Sequence, residues 1–253
     1  MHSIPIQLSG NHACILGASS DLGMAVAKIL SDAGLRLTLS ACSENGISRI
    51  TSAFPAATIL ELNLEKIARS AILDTGTTVD AALGTIDSPD YLVDCMQSDF
   101  EAFIAGADPA DIAQYMEINI TGRAICLRHI SRMMLANRFG RCVFISSTAA
   151  ALPNSGQGFY AASKLAGEAL YQNLGVELGG RGVTSCSLRL GYVQSGRGNK
   201  FIENNPQAVT RSPAKRAVSS GEAARTVAFL LSDDARMING TSITMDGGLT
   251  ACK

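Results

Sequence analysis

Ala13-Cys14-Ile15-Leu16-Gly17-Ala18-Ser19-Ser20-Asp21-Leu22-Gly23 is the stretch whose reading decides the fold. A short apolar run, Ala13 to Leu16, meets a glycine-containing turn. A helical stretch follows from Leu22 to Ala33, with Leu22, Val26, Ile29 and Leu30 on one face, and Gly34 closes it. Glycines in such a turn let the backbone approach a pyrophosphate, whose charge the helix N-terminus favours. An ordinary strand-to-helix turn has the same glycines, so the flanking strand and helix carry the reading. Asp21 stands where a middle glycine is expected. Its carboxylate either caps the helix or repels a phosphate, and capping is preferred because the helix begins there.

The same alternation recurs outward from this turn. Leu35 to Leu39, Thr58 to Leu62, Tyr91 to Val93, Arg141 to Ser146, Thr184 to Leu190 and Ser242 to Met245 read as strands. Amphipathic helical stretches lie between them, notably Ile112 to Asn137, Tyr160 to Gly179 and Gly221 to Leu231. Strands alternating with helices predict an α/β fold: one doubly wound (Rossmann) parallel sheet with helices on both faces. With no linker and no internal repeat, residues 1–253 read as a single domain. The least regular stretch, Gln194 to Ser219, carries Arg197, Lys200, Arg211, Lys215 and Arg216 and reads as a lid or binding segment, or as a solvated loop.

Composition narrows the function. Apolar residues are 47% and charged ones 17%, with a net charge of −1, so there is a core to bury but no basic surplus for nucleic acid. No apolar run is long enough to cross a bilayer, and Met1 to Gly10 lacks the pattern of a signal peptide, so a cytoplasmic location is expected. Seven scattered cysteines without a CxxC pair read as reduced thiols, and with three histidines (2, 12 and 129) no metal site is expected.

Tyr160-Ala161-Ala162-Ser163-Lys164, with Ser147 thirteen residues earlier, carries the chemistry. Tyr160 and Lys164 share a helix face. A phenol is a poor acid–base group at neutral pH, and a neighbouring ammonium favours the phenolate, which yields a group able to exchange a proton with an alcohol oxygen. Ser147, at a strand end, can hydrogen-bond that same oxygen. An isolated pair at this spacing is usually only a surface contact. The upstream serine and the dinucleotide turn argue for the chemical reading.

On these residues the chain resembles the short-chain dehydrogenase/reductase family, most of all its β-ketoacyl-carrier-protein reductases. Gly17 to Gly23 is similar to the cofactor turn, Ser147, Tyr160 and Lys164 to the catalytic set, and Asn119 to the helix asparagine that completes a proton relay. Gly191-Tyr192-Val193-Gln194-Ser195 resembles the segment that touches the nicotinamide, Asp246-Gly247-Gly248 the end of the last strand, and Ser43 to Gly46 the reductase group. The resemblance implies Tyr160 as general acid or base, Lys164 lowering its pKa and holding the nicotinamide ribose, Ser147 polarising the substrate oxygen, and Asn119 holding a water. It also implies cofactor contacts at Gly17, Ser19, Ser20, Asp21, Leu22 and Gly23, and at Ala41, Cys42, Asn63 and Leu64. Further contacts are implied at Cys95, Met96, Tyr160, Lys164, Gly191, Val193 and Ser195. A homotetramer is implied, built partly through Ile112 to Asn137 and Tyr160 to Gly179, where Ile118, Ile120, Ile125, Leu127, Leu165, Leu170, Leu174 and Val176 put apolar residues on more than one face.

Asp94-Cys95-Met96-Gln97 departs from the family's Asn-Asn-Ala-Gly, and Leu190 replaces a proline. Met96 and Gln97 are expected to crowd the adenosine side of the cofactor. The end of the second strand, Ser40-Ala41-Cys42-Ser43, has no carboxylate for a ribose 2′-hydroxyl, which favours NADP(H) over NAD(H). A basic partner for the 2′-phosphate is not evident: Ser20 sits where an arginine often does, and Arg36 is too far. The expected activity is hydride transfer between NADP(H) and a carbonyl or alcohol, free or carrier-bound. The alternatives are a dehydratase or epimerase, or a binding protein, on the same fold.

Overall fold

The computed structural model describes residues 6–72 and 83–251. His2 and Cys252 lie outside them.

β1 (His12–Leu16) is buried throughout, and its side chains alternate between two cores. Ala13 and Ile15 face one, Cys14 and Leu16 the other, as the period of two requires of a strand covered on both faces. β2 (Arg36–Ala41), β3 (Thr58–Glu61), β4 (Tyr91–Asp94), β5 (Gly140–Ser147), β6 (Val183–Leu190) and β9 (Thr241–Met245) complete a seven-stranded sheet in the order β3-β2-β1-β4-β5-β6-β9. Every neighbouring pair in it is parallel. All seven strands expected from the sequence are present. The order reverses between β1 and β4, so the crevice beyond their carboxyl ends is the switch point where such sheets bind ligands.

α1 (Asp21–Asp32), α2 (Glu44–Ala53) and α3 (Leu64–Ile72) follow the first three strands. Side chains satisfy their first N–H groups: Ser20 accepts from Gly23 N, Ser43 from Gly46 N, and Asn63 Oδ1 from Glu65 N and Lys66 N. α1 and α9 (Ser220–Leu231) cover one face through Val26, Leu30, Val227 and Leu231. α9 opens with a capping box, Ser219 and Glu222.

The helix expected over Ile112 to Asn137 is divided. α4 (Pro109–Met116) widens into a π turn at Glu117–Gly122 before α5 (Arg123–Asn137) resumes. Two side chains use carbonyls of this segment: Asn119 Nδ2 donates to Tyr115 O at 2.9 Å, and Arg123 Nη1 donates to Asn119 O. Side-chain donors inserted into the helix ladder are a recognised cause of such distortion, which concentrates at functional sites. α5 and α6 (Gly158–Leu178) cover the other face with Cys126, Ile130 and Tyr171. Leu127 and Leu174, expected on an intersubunit face, are buried in this core, whereas Leu165 and Val176 are exposed.

The stretch from Gln194 to Ser219 is more regular than its sequence predicts. β7 (Val193–Gln194) pairs with β8 (Val218–Ser219), and α7 (Gly196–Asn204) and α8 (Pro206–Thr210) lie between them. Pro206 begins α8, where its missing N–H costs nothing. Among the described residues no helix is long and apolar enough to cross a membrane. None of their His, Cys, Asp and Glu side chains cluster as a metal site, and the six cysteines are free thiols.

Candidate active site

The phosphate-type turn is built as the sequence implied, with one correction. Gly17 has φ +71°, and a Cβ there would lie 3.0 Å from the backbone of Cys95 and Met96. Only glycine lets β1 leave the sheet so close to the end of β4. A Cβ on Gly23 would lie 2.7 Å from Gly17 O, so α1 packs tightly on the turn. These are the requirements of a dinucleotide cradle, and the residues present fit one. Asp21, however, does not cap α1, because Ser20 is the N-cap. Asp21 is the first helical residue, and its carboxylate points outward to Arg49 Nη2 at 2.6 Å and to the Gly196 N–H at 2.9 Å. The Arg49 guanidinium beside it holds its carboxyl below the usual carboxylate range.

Ser147 ends β5, and its Oγ accepts from Ala149 N at 3.2 Å. Ser147 lies near enough to the Tyr160 phenol to favour its ionised form, so the strand end and the first turn of α6 bring the two side chains to one place. One turn on, Lys164 is buried, with Nζ 5.7 Å from the Tyr160 ring centroid and donating to Ile145 O at 2.8 Å. The expected electrostatics are reversed. Burial pushes the Tyr160 phenol above its ordinary range, with the neighbouring Ser147 side chain opposing it. Burial, aided by the Arg123 cation, pushes the Lys164 ammonium down to about 7. A lysine that carries its charge only part of the time at neutral pH, bonded to a carbonyl, does less for the phenolate than a fully charged one.

Asn119 is fully buried and fully engaged. Its Oδ1 accepts from Ser98 N at 3.0 Å, its Nδ2 donates to Ser98 Oγ and Tyr115 O, and its carbonyl accepts from Arg123. The water expected on Asn119 therefore has the Arg123 guanidinium as a competitor at the carbonyl.

Arg123 explains the altered segment after β4, and sequence reasoning passed over it. Its Nε lies 2.8 Å from Asp94 Oδ2, and its Nη2 donates to Met96 O. Asp94 also accepts from Met96 N and from the Tyr171 hydroxyl. The readable signal was a charge at position 123 on an otherwise apolar stripe, with an unexplained acid at 94. Nor do Met96 and Gln97 point as expected. Met96 joins the core beneath the sheet, and Gln97 Nε2 donates to the Tyr115 hydroxyl at 2.7 Å and Ser163 Oγ at 3.2 Å. Both side chains are anchored in protein.

The other expected cofactor residues lie around the same crevice. Ala41 ends β2 and Cys42 follows it, Cys95 follows β4, and Gly191, Val193 and Ser195 come after β6. Asn63 caps α3 and Leu64 is buried at its start, so both serve the fold directly. Arg36 is paired with Asp87, away from the end of β2. Arg216 forms a two-point pair with Glu222, so it is already neutralised. Lys200, Arg211 and Lys215 are exposed.

Residues 17–250 match the family model described as enoyl-(acyl carrier protein) reductase. A 3-oxoacyl-[acyl-carrier-protein] reductase FabG of Rickettsia bellii is 28% identical over 246 residues, covering 96% of this chain and 98% of that one. A gluconate 5-dehydrogenase from Burkholderia cenocepacia, solved with NADP and tartrate, superposes with a TM-score of 0.85 at 23% identity, covering 98% of each chain. A 3-ketoacyl-(acyl-carrier-protein) reductase from Brucella melitensis, complexed with NADH, gives 0.82 at 22% identity over 95% of this chain and 98% of that one. With the family model spanning the phosphate turn, the Ser147–Tyr160–Lys164 cluster and the last strand, the chain belongs to the short-chain dehydrogenase/reductase family and is a nicotinamide-dependent dehydrogenase/reductase.

Proposed function

We propose that this protein reduces a carbonyl, or oxidises the corresponding alcohol, with NADP(H), and that Tyr160 is its general acid/base. The observation that carries this reading is the meeting of the Tyr160 and Ser147 side chains at the carboxyl end of β5, beside the switch point of the sheet. Bound dihydronicotinamide supplies the hydride, which no side chain can. Tyr160 gives its proton to the carbonyl oxygen as that oxygen gains charge. A phenol held protonated by burial is suited to that role. Ser147 donates to the same oxygen and orients it. Lys164 lies beneath the Tyr160 ring, where its ammonium form opposes in charge the phenolate that forms. The absence of a carboxylate over Ala41–Ser43 supports NADP(H).

The FabG relative supports a 3-oxoacyl substrate on a carrier, with the exposed Lys200, Arg211 and Lys215 available to an acidic partner. Exposed Leu165 and Val176 on α6 support assembly of the single-domain chains as a homotetramer, and the free thiols suit a cytoplasmic location. The test is NADPH consumption with a panel of 3-oxoacyl thioesters and simple ketones. Binding of NADPH without turnover of any member would favour a non-redox role on the same fold.

A further inference from the structure

The end of β2, the first turns of α2 and the turn after β1 converge. Gly46 on α2 makes this possible, because a Cβ there would lie 3.0 Å from Ser19 Oγ and 3.1 Å from the Ala41 side chain. Arg49, three residues further on, projects from the same helix face. Its Nη1 donates to Ser19 O at 2.8 Å and its Nη2 to Asp21 Oδ1 at 2.6 Å. The guanidinium therefore lies over the outer rim of the turn, on the helix that packs against Ala41 through Gly46, on the side where a ribose 2′ substituent falls when a dinucleotide lies across the switch point. It is a planar donor fork of the kind that grips phosphate, and about half of it is open to solvent. The anion now on it is internal. The other oxygen of Asp21 accepts from Gly196 N at 2.9 Å, so one carboxylate ties the turn both to α2 and to the start of α7. Glu44, in the first turn of α2, is the other nearby acid, and it is exposed.

We propose that Arg49 is the 2′-phosphate clamp of this protein and that Asp21 is the competing anion a 2′-phosphate displaces. This rests on the NADP(H) reading above. It explains how a chain with serine at position 20 and no base at the end of β2 can hold the extra phosphate. It also gives the acid in the turn a role: Asp21 screens Arg49 until a stronger, doubly charged anion arrives, and its exchange frees Gly196 and the helix behind it.

The test is fluorescence titration of the full chain with NADPH and with NADH, for wild type, Arg49→Gln and Asp21→Asn. Both positions are exposed enough for the variants to fold, which circular dichroism checks. Arg49→Gln is expected to weaken NADPH binding about 10- to 100-fold, the range for losing hydrogen bonds to a charged group, and to leave NADH nearly unchanged. Asp21→Asn keeps an oxygen for Gly196 N–H but removes the competing charge, so NADPH should bind about 2- to 5-fold more tightly, with a smaller gain for NADH. If wild type prefers NADPH and Arg49→Gln keeps that preference, the clamp is overturned while the cofactor reading stands. If wild type prefers NADH, the cofactor reading falls and the clamp with it. Unchanged NADPH affinity in Asp21→Asn overturns the competing-anion role.

Discussion

Arg123 Nε lies 2.8 Å from Asp94 Oδ2, and neither side chain is exposed at all. The pair joins the end of β4 to the start of α5 directly behind the candidate proton-transfer residues. Breaking such a pair by removing one partner typically costs about 3–5 kcal/mol, because the survivor is left as a buried charge. Arg123→Met and Asp94→Asn should each show a loss of that order in urea denaturation. The double variant should lose far less than the sum, which a double-mutant cycle will read as a strongly favourable coupling. Additive losses would mean that the contacts of Arg123 with the Asn119 and Met96 carbonyls, rather than Asp94, dominate its energetics.

Lys164→Met should stabilise the fold. The ammonium is pushed from its ordinary 10.5 down to about 7, so the unfolded chain binds more protons than the native one between those pH values. Native stability therefore rises with pH across this window, and the cost of burying Lys164 is fully present below it. A tenfold loss of proton affinity corresponds to about 1.4 kcal/mol, so the stabilisation by Lys164→Met should be a few kcal/mol at pH 7 and shrink toward pH 10. Thermal melts of both proteins over this range check the slope. The same variant should lose most of its turnover.

Tyr160→Phe keeps the ring and removes the hydroxyl. Turnover should fall by about 10²- to 10⁴-fold with cofactor affinity nearly intact, and Ser147→Ala should also cost rate with little effect on binding. The measurement is kcat/KM on the first active carbonyl substrate. Near wild-type activity in Tyr160→Phe would refute its role as the proton donor.

Gln97→Gly, read from sequence alone, should relieve crowding of the cofactor. With Gln97 bonded to Tyr115 and Ser163, the expected outcome changes. NADPH affinity should stay within about 2-fold, while stability drops by about 0.5–1.5 kcal/mol, the usual net contribution of a hydrogen bond, because the Tyr115 and Ser163 hydroxyls still bond each other. Markedly tighter binding would show that Gln97 intrudes on the nucleotide after all.

The sequence by itself determined what depends on local order and period. The apolar run from Ala13 to Leu16, the glycines at 17 and 23, and the alternation of strands with amphipathic helices were enough to specify a parallel sheet with helices on both faces, whereas the strand order that places the switch point came from the tertiary structure. Tyr160 and Lys164 were legible because a helix of fixed pitch stacks residues four apart. What only the tertiary structure decided lies between residues distant in the chain. Asp94 meets Arg123 through the packing of α5 beneath β4. Asp21 turns from the helix start to Arg49 and Gly196 because Ser20 already caps α1. The proton affinity of Lys164 follows from its burial beside Arg123, which nothing in its own segment of sequence reveals. Local periodicity fixes which face a side chain occupies. The dielectric around it and the charge opposite it are set by elements that arrive from elsewhere in the fold.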